Sequence, residues 1–533
     1  MRTVHRTKPI WRWIMGSFSL LPFLHCQEVK KQENRRPNIL ICIADDQSYP
    51  HTSFYGTTWI STPNFDRVAR EGISFRNAYT PNAKCAPSRS ALLTGRNPWQ
   101  LEEAANHSPY FPSKFRTYAE VLAAHGYQTG FTGKGWAPGN PGSLDGKRRE
   151  LLGPAFNRHQ LAPPTPGISP IDYAANFREF MEDKESGQPF CFWVGGLEPH
   201  RPYTFGTGSE LAGKHIKEID TVYPFWPDAD SVRQDLLDYA YEIEYFDKQL
   251  GKILTILEEA GELDNTLVIV TADNGMPFPR VKGYAYEDAN HLPLAMMWKD
   301  GIHQPGRSYE PFVSFTDLAP TILELAGITP DASGMAEFEG HSLFPVFAGK
   351  KDPYHRAFMV IGKERNDVGR PRDQGYPIRG IIQDGFLYLR NFEPDRWPAG
   401  NPETGYLDTD GSPTKTMILN QRRQIGSSTF WDINFGKRPG EELYDLRQDR
   451  HCVHNLATDP AYSLRLRQLA AELGQELRRE EDPRALGQGA VFDTYLFSNE
   501  KSRYFYDRYM AGVPVHAGWV NETDFEPTEL SKP

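Results

Sequence analysis

A chain of 533 residues with 39% hydrophobic and 13% aromatic side chains has ample material for a buried core, and its length accommodates one large α/β domain with a smaller one beside it. A formal net charge of −10 excludes general attraction to nucleic acid or to a polyanion as a whole, so any anionic ligand must be met by a local basic pocket. Five cysteines are too few for a disulfide framework in a chain this long, and no pair has the spacing of a thiolate zinc site.

The chain opens Met1-Arg2-Thr3-Val4-His5-Arg6-Thr7-Lys8, and a short apolar run follows from Ile14 to Leu24. Basic start plus short apolar run predicts an export signal over residues 1–26, too short for a stable transmembrane helix. Leu21-Pro22-Phe23-Leu24-His25-Cys26 is a loose match to a bacterial lipoprotein cleavage site. Cys26 is therefore a candidate lipid anchor, with polar residues 27–36 as its tether. The expected location is periplasmic or outer-membrane-anchored in a bacterium, and secreted or lysosome-like otherwise.

Asn38-Ile39-Leu40-Ile41-Cys42-Ile43-Ala44 is continuously apolar, the pattern of a strand buried on both faces of a largely parallel sheet. Thr62-Pro63 opens a helix that Gly72 closes; Thr117 and Glu120 have capping-box spacing for a second helix, closed by Gly126. Strand patterns follow over 128–132, 190–194, 267–271 and 292–298. Between them runs a long amphipathic helix with Leu236, Ala240, Ile243, Leu250, Ile253 and Leu257 at helical spacing, and another helix is predicted over 316–327. This alternation predicts an α/β fold, a large mixed but mostly parallel sheet flanked by helices, over residues 37–350. Residues 351–533 read as a smaller C-terminal α+β subdomain, with short antiparallel strands such as 380–389, a helix over 461–480 and no pattern after Asp482.

Asp45-Asp46 follows the first buried strand directly, and two adjacent carboxylates cannot both ionise there without a cation. Asp273-Asn274 ends another buried strand, bringing a second oxygen-bearing pair to the sheet edge where α/β ligands bind. Four oxygen side chains suit a hard cation, Ca²⁺ or Mg²⁺. Cys85, two residues before Pro87, is expected just ahead of a helix whose positive end would stabilise an anion. Arg89 is one turn further on and projects along the same face.

Cys85-x-Pro87-Ser88-Arg89 with Leu93-Thr94-Gly95-Arg96 resembles the signature of the type I sulfatases of the alkaline-phosphatase-like superfamily, and the resemblance runs from about Pro37 to about Ala457. It implies that a formylglycine-generating or sulfatase-maturing enzyme oxidises Cys85 to Cα-formylglycine, whose hydrate is the nucleophile. It further implies that Asp45, Asp46, Asp273, Asn274 and the modified Cys85 hold a metal, usually calcium. Lys134 in Gly133-Lys134-Gly135-Trp136 matches the family's sulfate-contacting lysine, and His200 in Glu198-Pro199-His200-Arg201-Pro202 its leaving-group acid. Asn274-Gly275-Met276-Pro277-Phe278-Pro279 looks like the heparan N-sulfatase branch, where a basic residue closes the run; Lys282 stands there and would join Arg89 and Lys134 in a cationic clamp. Trp136 departs from the family, which generally carries a histidine two residues after the lysine to help expel sulfate. That step would fall to another group, Lys134 being nearest in sequence, unless the indole serves as a sugar-stacking face.

The resulting expectation is a formylglycine-dependent sulfatase that removes an O- or N-sulfate from a saccharide of a polysaccharide such as heparan sulfate or an algal sulfated glycan, in exo fashion. The basic loop from Lys363 to Arg379 is expected to touch carboxylates or further sulfates. Two rivals are a phosphatase or phosphonate hydrolase of the same superfamily, which serine or threonine at position 85 would have favoured, and an inactive saccharide-binding relative.

Overall fold

Strand β1 (Asn38–Ala44) is apolar throughout because both of its faces are covered. Ile39, Ile41 and Ile43 enter one core cluster while Leu40, Cys42 and Ala44 enter another, as the two-residue repeat of a strand requires. The structure, a computed structural model, describes residues 1–5, 7–10, 35–144, 146–426 and 428–527. Residues 1–35 and 36–533 are separate compact units. In the first, the described residues have no regular secondary structure; the apolar run, Cys26 and most of the tether lie outside them.

Around β1 stand β2 (Ile73–Tyr79), β3 (Gln128–Gly133), β4 (Phe190–Gly195), β5 (Thr266–Ala272), β6 (His291–Met297) and β7 (Arg307–Ser314). Their order is β3-β4-β1-β5-β6-β2-β7, with β6 antiparallel to both neighbours and every other pairing parallel. The sheet is thus mixed and mostly parallel, as expected. Two of its strands carry no clear sequence signal. In β2 a register shift between Phe75 and Ala78 breaks the alternation at Arg76-Asn77, and β7 is half solvent-facing.

Helices cover both faces. α1 (Pro63–Glu71), α4 (Tyr173–Glu182) and α5 (Asp230–Glu259) bury Phe65, Phe177 and Leu250 against the Leu40 face. α3 (Tyr118–Ala124) and α6 (Leu318–Leu325) bury Leu122 and Ile322 against the Ile41 face. The Thr117/Glu120 capping box opens α3 as predicted. Each such buried apolar side chain contributes about 1.5–3 kcal/mol, and Ile41→Ala would cost about 2–5 kcal/mol because a packed core cannot collapse around the gap.

A second, antiparallel sheet follows: β8 (Met359–Lys363), β9 (Ile378–Gln383), β10 (Phe386–Asn391) and β11 (Glu441–Asp445), in that order. The single strand expected over 380–389 is in fact a hairpin. Gln383 pairs with Phe386, and Asp384 and Gly385 both have positive φ, 50° and 74°, which is the two-residue turn that follows the strand twist. Helix α7 (Ser463–Arg479) packs Leu469, Leu473 and Leu477 on this sheet. The segment after it is tied down: Asp482 is fully buried and accepts two bonds from the Arg379 guanidinium, at 2.9 and 3.1 Å.

Candidate active site

Because β1 and β5 pair with Ala44 opposite Ala272, Asp45 and Asp273 leave the sheet side by side at its carboxyl edge. The chain turns at Asp46, whose φ of 76° an aspartate tolerates, and its N–H donates to Asp273 Oδ1 at 3.0 Å. Asn274 Nδ2 donates to Asp46 Oδ1 at 2.6 Å, while Asn274 Oδ1 is buried and has no hydrogen-bond partner. Carboxylate oxygens of Asp45, Asp46 and Asp273 and the sulfur of Cys85 all lie within 4.8 Å of one another. Three carboxylates beside an orphaned amide oxygen are a donor set that fits a hard divalent cation.

Cys85 does not precede its helix; it is the first residue of α2 (Cys85–Thr94), and Lys84, in extended conformation, is the N-cap. The difference is one residue, since Pro87 in the first turn is compatible with either start. Its Sγ lies 3.5 Å from Asp45 Oδ1 and 3.8 Å from Asp46 Oδ1. Burial, and then Asp45, push the thiol well up, which disfavours a thiolate.

Arg89 is fully buried and commits its donors: Nε to Asp273 Oδ2 at 2.8 Å, Nη1 to the carbonyls of Lys134 and Gly135 at 2.8 Å each, Nη2 to Asp45 Oδ1 at 3.4 Å. It therefore holds the carboxylates rather than facing outward. Lys134 follows β3 through Gly133, where a Cβ would stand 2.0 Å from the Gly195 carbonyl oxygen, so the chain can pass only as glycine. Lys134 Nζ donates to Asp45 Oδ2 at 2.6 Å. Burial opposes the lysine's charge, but Asp45 outweighs it and raises the pKa.

His200 lies on the loop after β4, which Arg201 anchors with bonds of 2.8 and 2.9 Å to Asp235 of α5 and one of 2.8 Å to the Pro277 carbonyl. His200 Nδ1 is 2.6 Å from the Arg201 carbonyl oxygen. A carbonyl only accepts, so Nδ1 carries the hydrogen and Nε2 faces the site, 3.8 Å from Asp46 Oδ2. Lys282 Nζ bridges Asp46 Oδ2 at 2.6 Å and Asp410 Oδ2 at 2.9 Å. Its burial is opposed by Asp410 and then Asp46, which raise its pKa well above the usual value.

All nine residues anticipated from the sequence thus converge on one edge of the sheet. Four others join them without a sequence signal. Asp410 reaches the site from the segment between β10 and β11, and Lys84 Nζ pairs with Asp367 Oδ2 at 3.1 Å while His107 Nδ1 lies 3.3 Å from Asp367 Oδ1. Only the fold brings these together.

Two expectations are overturned. Trp136 is 8% exposed, set edge-on to Phe111, so it packs inside instead of offering a sugar-stacking face. Of the basic loop, Lys363, Arg365, Arg370 and Arg379 are buried, and Arg372 is exposed. Lys363 donates to the Gly283 carbonyl at 2.6 Å, and burial pushes it down to about 7. Arg370 pairs with Asp408 at 2.7 Å and Arg379 with Glu364 and Asp482. Charged groups this deep need fixed partners, which for Arg370 and Arg379 are the protein's own carboxylates.

The sulfatase family model matches residues 37–328, more than half of the chain. N-sulphoglucosamine sulphohydrolase of Homo sapiens is 28% identical over 495 residues, spanning 87% of this chain and 94% of that protein. An ulvan-active sulfatase of Formosa agariphila is 27% identical over 438 residues, 80% of this chain and 77% of that one. A solved structure in complex with its substrate D-glucosamine-2-N,6-O-disulfate superposes with a TM-score of 0.58 at 19% identity, covering 84% of this chain and 99% of that chain, a likeness of fold. With the family model matched across the sheet that carries Asp45, Cys85, Lys134, His200 and Asp273, the chain belongs to the sulfatase family of sulfuric ester hydrolases.

Proposed function

We propose that the protein is an exported, calcium-dependent, formylglycine sulfatase that removes sulfate from the terminal amino sugar of a sulfated saccharide. The observation that carries this reading is the approach of Cys85 Sγ to within 3.5–3.8 Å of Asp45 and Asp46, with Lys134, Lys282 and His200 around them. Similarity to N-sulphoglucosamine sulphohydrolase over 94% of that protein's length supports the substrate class.

A divalent cation bound by Asp45, Asp46, Asp273 and Asn274, together with a formylglycine made from Cys85, would supply Lewis-acid assistance and an oxygen nucleophile. The chain's own residues do the rest. Arg89 fixes Asp45 and Asp273 so that their oxygens stay aimed at the cation. Lys134 and Lys282, both cationic, stabilise negative charge on the sulfuryl oxygens as the bond to the sugar breaks. His200, cationic when Nε2 is also protonated, gives that proton to the departing oxygen or nitrogen. Its side chain is 32% exposed against none for Asp46, consistent with a place at the mouth. Asp410, from the C-terminal part of the chain, pairs with Lys282 beside these groups.

The test is sulfate release by the matured enzyme from terminal N-sulfoglucosamine, O-sulfated glucosamine and ulvan oligosaccharides, with phosphate and phosphonate esters as controls. Release from a terminal amino sugar is expected. Turnover of the phosphorus esters alone, or equal rates at internal and terminal sulfates, would overturn the reading.

A further inference from the structure

Asp410 is a carboxylate of the sulfatase site that lies outside the ligand set of Asp45, Asp46, Asp273 and Asn274, and the Lys282 ion pair engages only one of its oxygens. Asp410 is 5% exposed, and a carboxylate oxygen of it lies within 4.8 Å of both a His200 ring nitrogen and an Asp46 oxygen. Lys282 donates to its Oδ2, whereas Oδ1 receives no donor among the described residues. Burial opposes its ionisation, but Lys282, Lys84 and His200 outweigh burial, so the group is an anion. An anion placed beside the sulfate-binding lysines works against binding a second sulfate, and a positive or proton-rich partner from the substrate is what its open oxygen lacks.

We infer that Asp410 is a specificity-determining residue that selects a sugar nitrogen as the leaving atom, making the enzyme a sulfamidase in preference to an O-sulfatase. This rests on the sulfatase reading above. In sulfamate cleavage the S–N bond pair passes to nitrogen, the sulfuryl group passes by way of residue 85 to water, and nitrogen takes one proton from His200 Nε2. Because that proton arrives before the S–N bond breaks, the nitrogen is cationic in the transition state; the amine so released takes a second proton from water and leaves as an ammonium, which carries three donors. An O-sulfate instead leaves as a neutral hydroxyl. Because a carboxylate oxygen of Asp410 stands within two hydrogen-bond lengths of a His200 ring nitrogen, the atom that His200 protonates can also reach the Asp410 carboxylate, and only a nitrogen that becomes cationic gains a full charge pair there.

The experiment compares wild type, Asp410→Asn and Asp410→Glu on N-sulfoglucosamine, glucosamine 6-O-sulfate and an aryl sulfate whose leaving group needs neither proton nor cation site. Wild type should favour N-sulfoglucosamine. Asp410→Asn should lower its kcat/KM about tenfold more than that for the aryl sulfate, the size expected for one charge-assisted hydrogen bond. Asp410→Glu should restore part of the difference. Calorimetry supplies a readout free of turnover: wild type should bind glucosamine more tightly than N-acetylglucosamine, and Asp410→Asn should not distinguish them. Equal losses on all three substrates, or no preference between the two sugars in wild type, would show that Asp410 merely holds Lys282 and overturn the inference. Wild type inactive on every sulfate would instead sink the sulfatase reading itself.

Discussion

Trp136 Nε1 donates to Ser90 Oγ at 2.8 Å, and Ser90 in turn donates at 2.8 Å to the carbonyl of Ala86, next to Cys85. The indole is therefore a brace for the first turns of the helix that Cys85 opens. Trp136→Ala should lower stability by about 3–5 kcal/mol, as large aromatic deletions do, measured by denaturant unfolding. Trp136→His should leave KM for a saccharide unchanged; a raised KM would restore the ring to a sugar-binding role.

The cation reading makes a claim about stability as well as turnover. Three carboxylates and the Asn274 amide oxygen wait on one charge, so calcium at a hundredfold excess over its Kd should stabilise the fold by about 2.7 kcal/mol. Exhaustive chelation should lower Tm and abolish sulfate release, and calcium should restore both. Asp273→Ala should be inactive and lose the calcium-dependent rise in Tm. A Tm indifferent to chelator, with activity intact, would show that the four oxygens hold no metal.

Arg379 and Asp482 form a fully buried pair, backed by Glu364 at 2.7 Å. Removing one partner leaves the other charged and unpaired, so Arg379→Ala should cost about 3–5 kcal/mol. The kcat/KM of the protein that remains folded should match wild type, because this arginine joins the last segment to the second sheet and does not face substrate. Truncation before Asp482 should destabilise comparably.

Burial pushes the Glu480 carboxyl up to about 8, and Glu339 adds to the rise, while the Trp99 indole N–H donates to it at 2.6 Å. Below the ordinary carboxyl range the group is protonated in both folded and unfolded chains and has no linkage effect. As pH rises toward 8 the unfolded chain loses that proton and the folded one keeps it, so stability falls across this window by on the order of 5 kcal/mol and then levels off. Glu480→Gln should match wild type in its pH response below about pH 4 but lack the decline that wild type shows from about pH 4.5 to 8, which unfolding measured from about pH 3 to pH 9 would reveal. Parallel profiles would contradict the assignment.

The sheet's centre was legible because β1, β4 and β5 are buried on both faces and so carry unbroken apolar runs ending in functional residues. Asp45 and Asp273 were legible for the same reason, each following such a strand directly, and Cys85 was legible from its spacing to Pro87 and Arg89. β2 and β7 were not, since a register shift and an exposed face erase the periodicity. Asp410 and Asp367 sit in polar segments whose composition matches any surface loop, and only long-range packing makes them buried. The same packing explains why the Lys363–Arg379 loop looked like a ligand-binding surface: its partners Asp408 and Asp482 lie far along the chain.

Everything in the mechanism depends on what occupies residue 85. Mass spectrometry of the peptide Cys85–Arg89 from active enzyme, produced together with a sulfatase-maturing enzyme, is the most direct measurement. The mass should be that of an aldehyde in place of the thiol, the peptide should react with a hydrazide, and the aldehyde fraction should scale with specific activity across preparations. Full activity from protein whose Cys85 is wholly unmodified thiol would contradict the account.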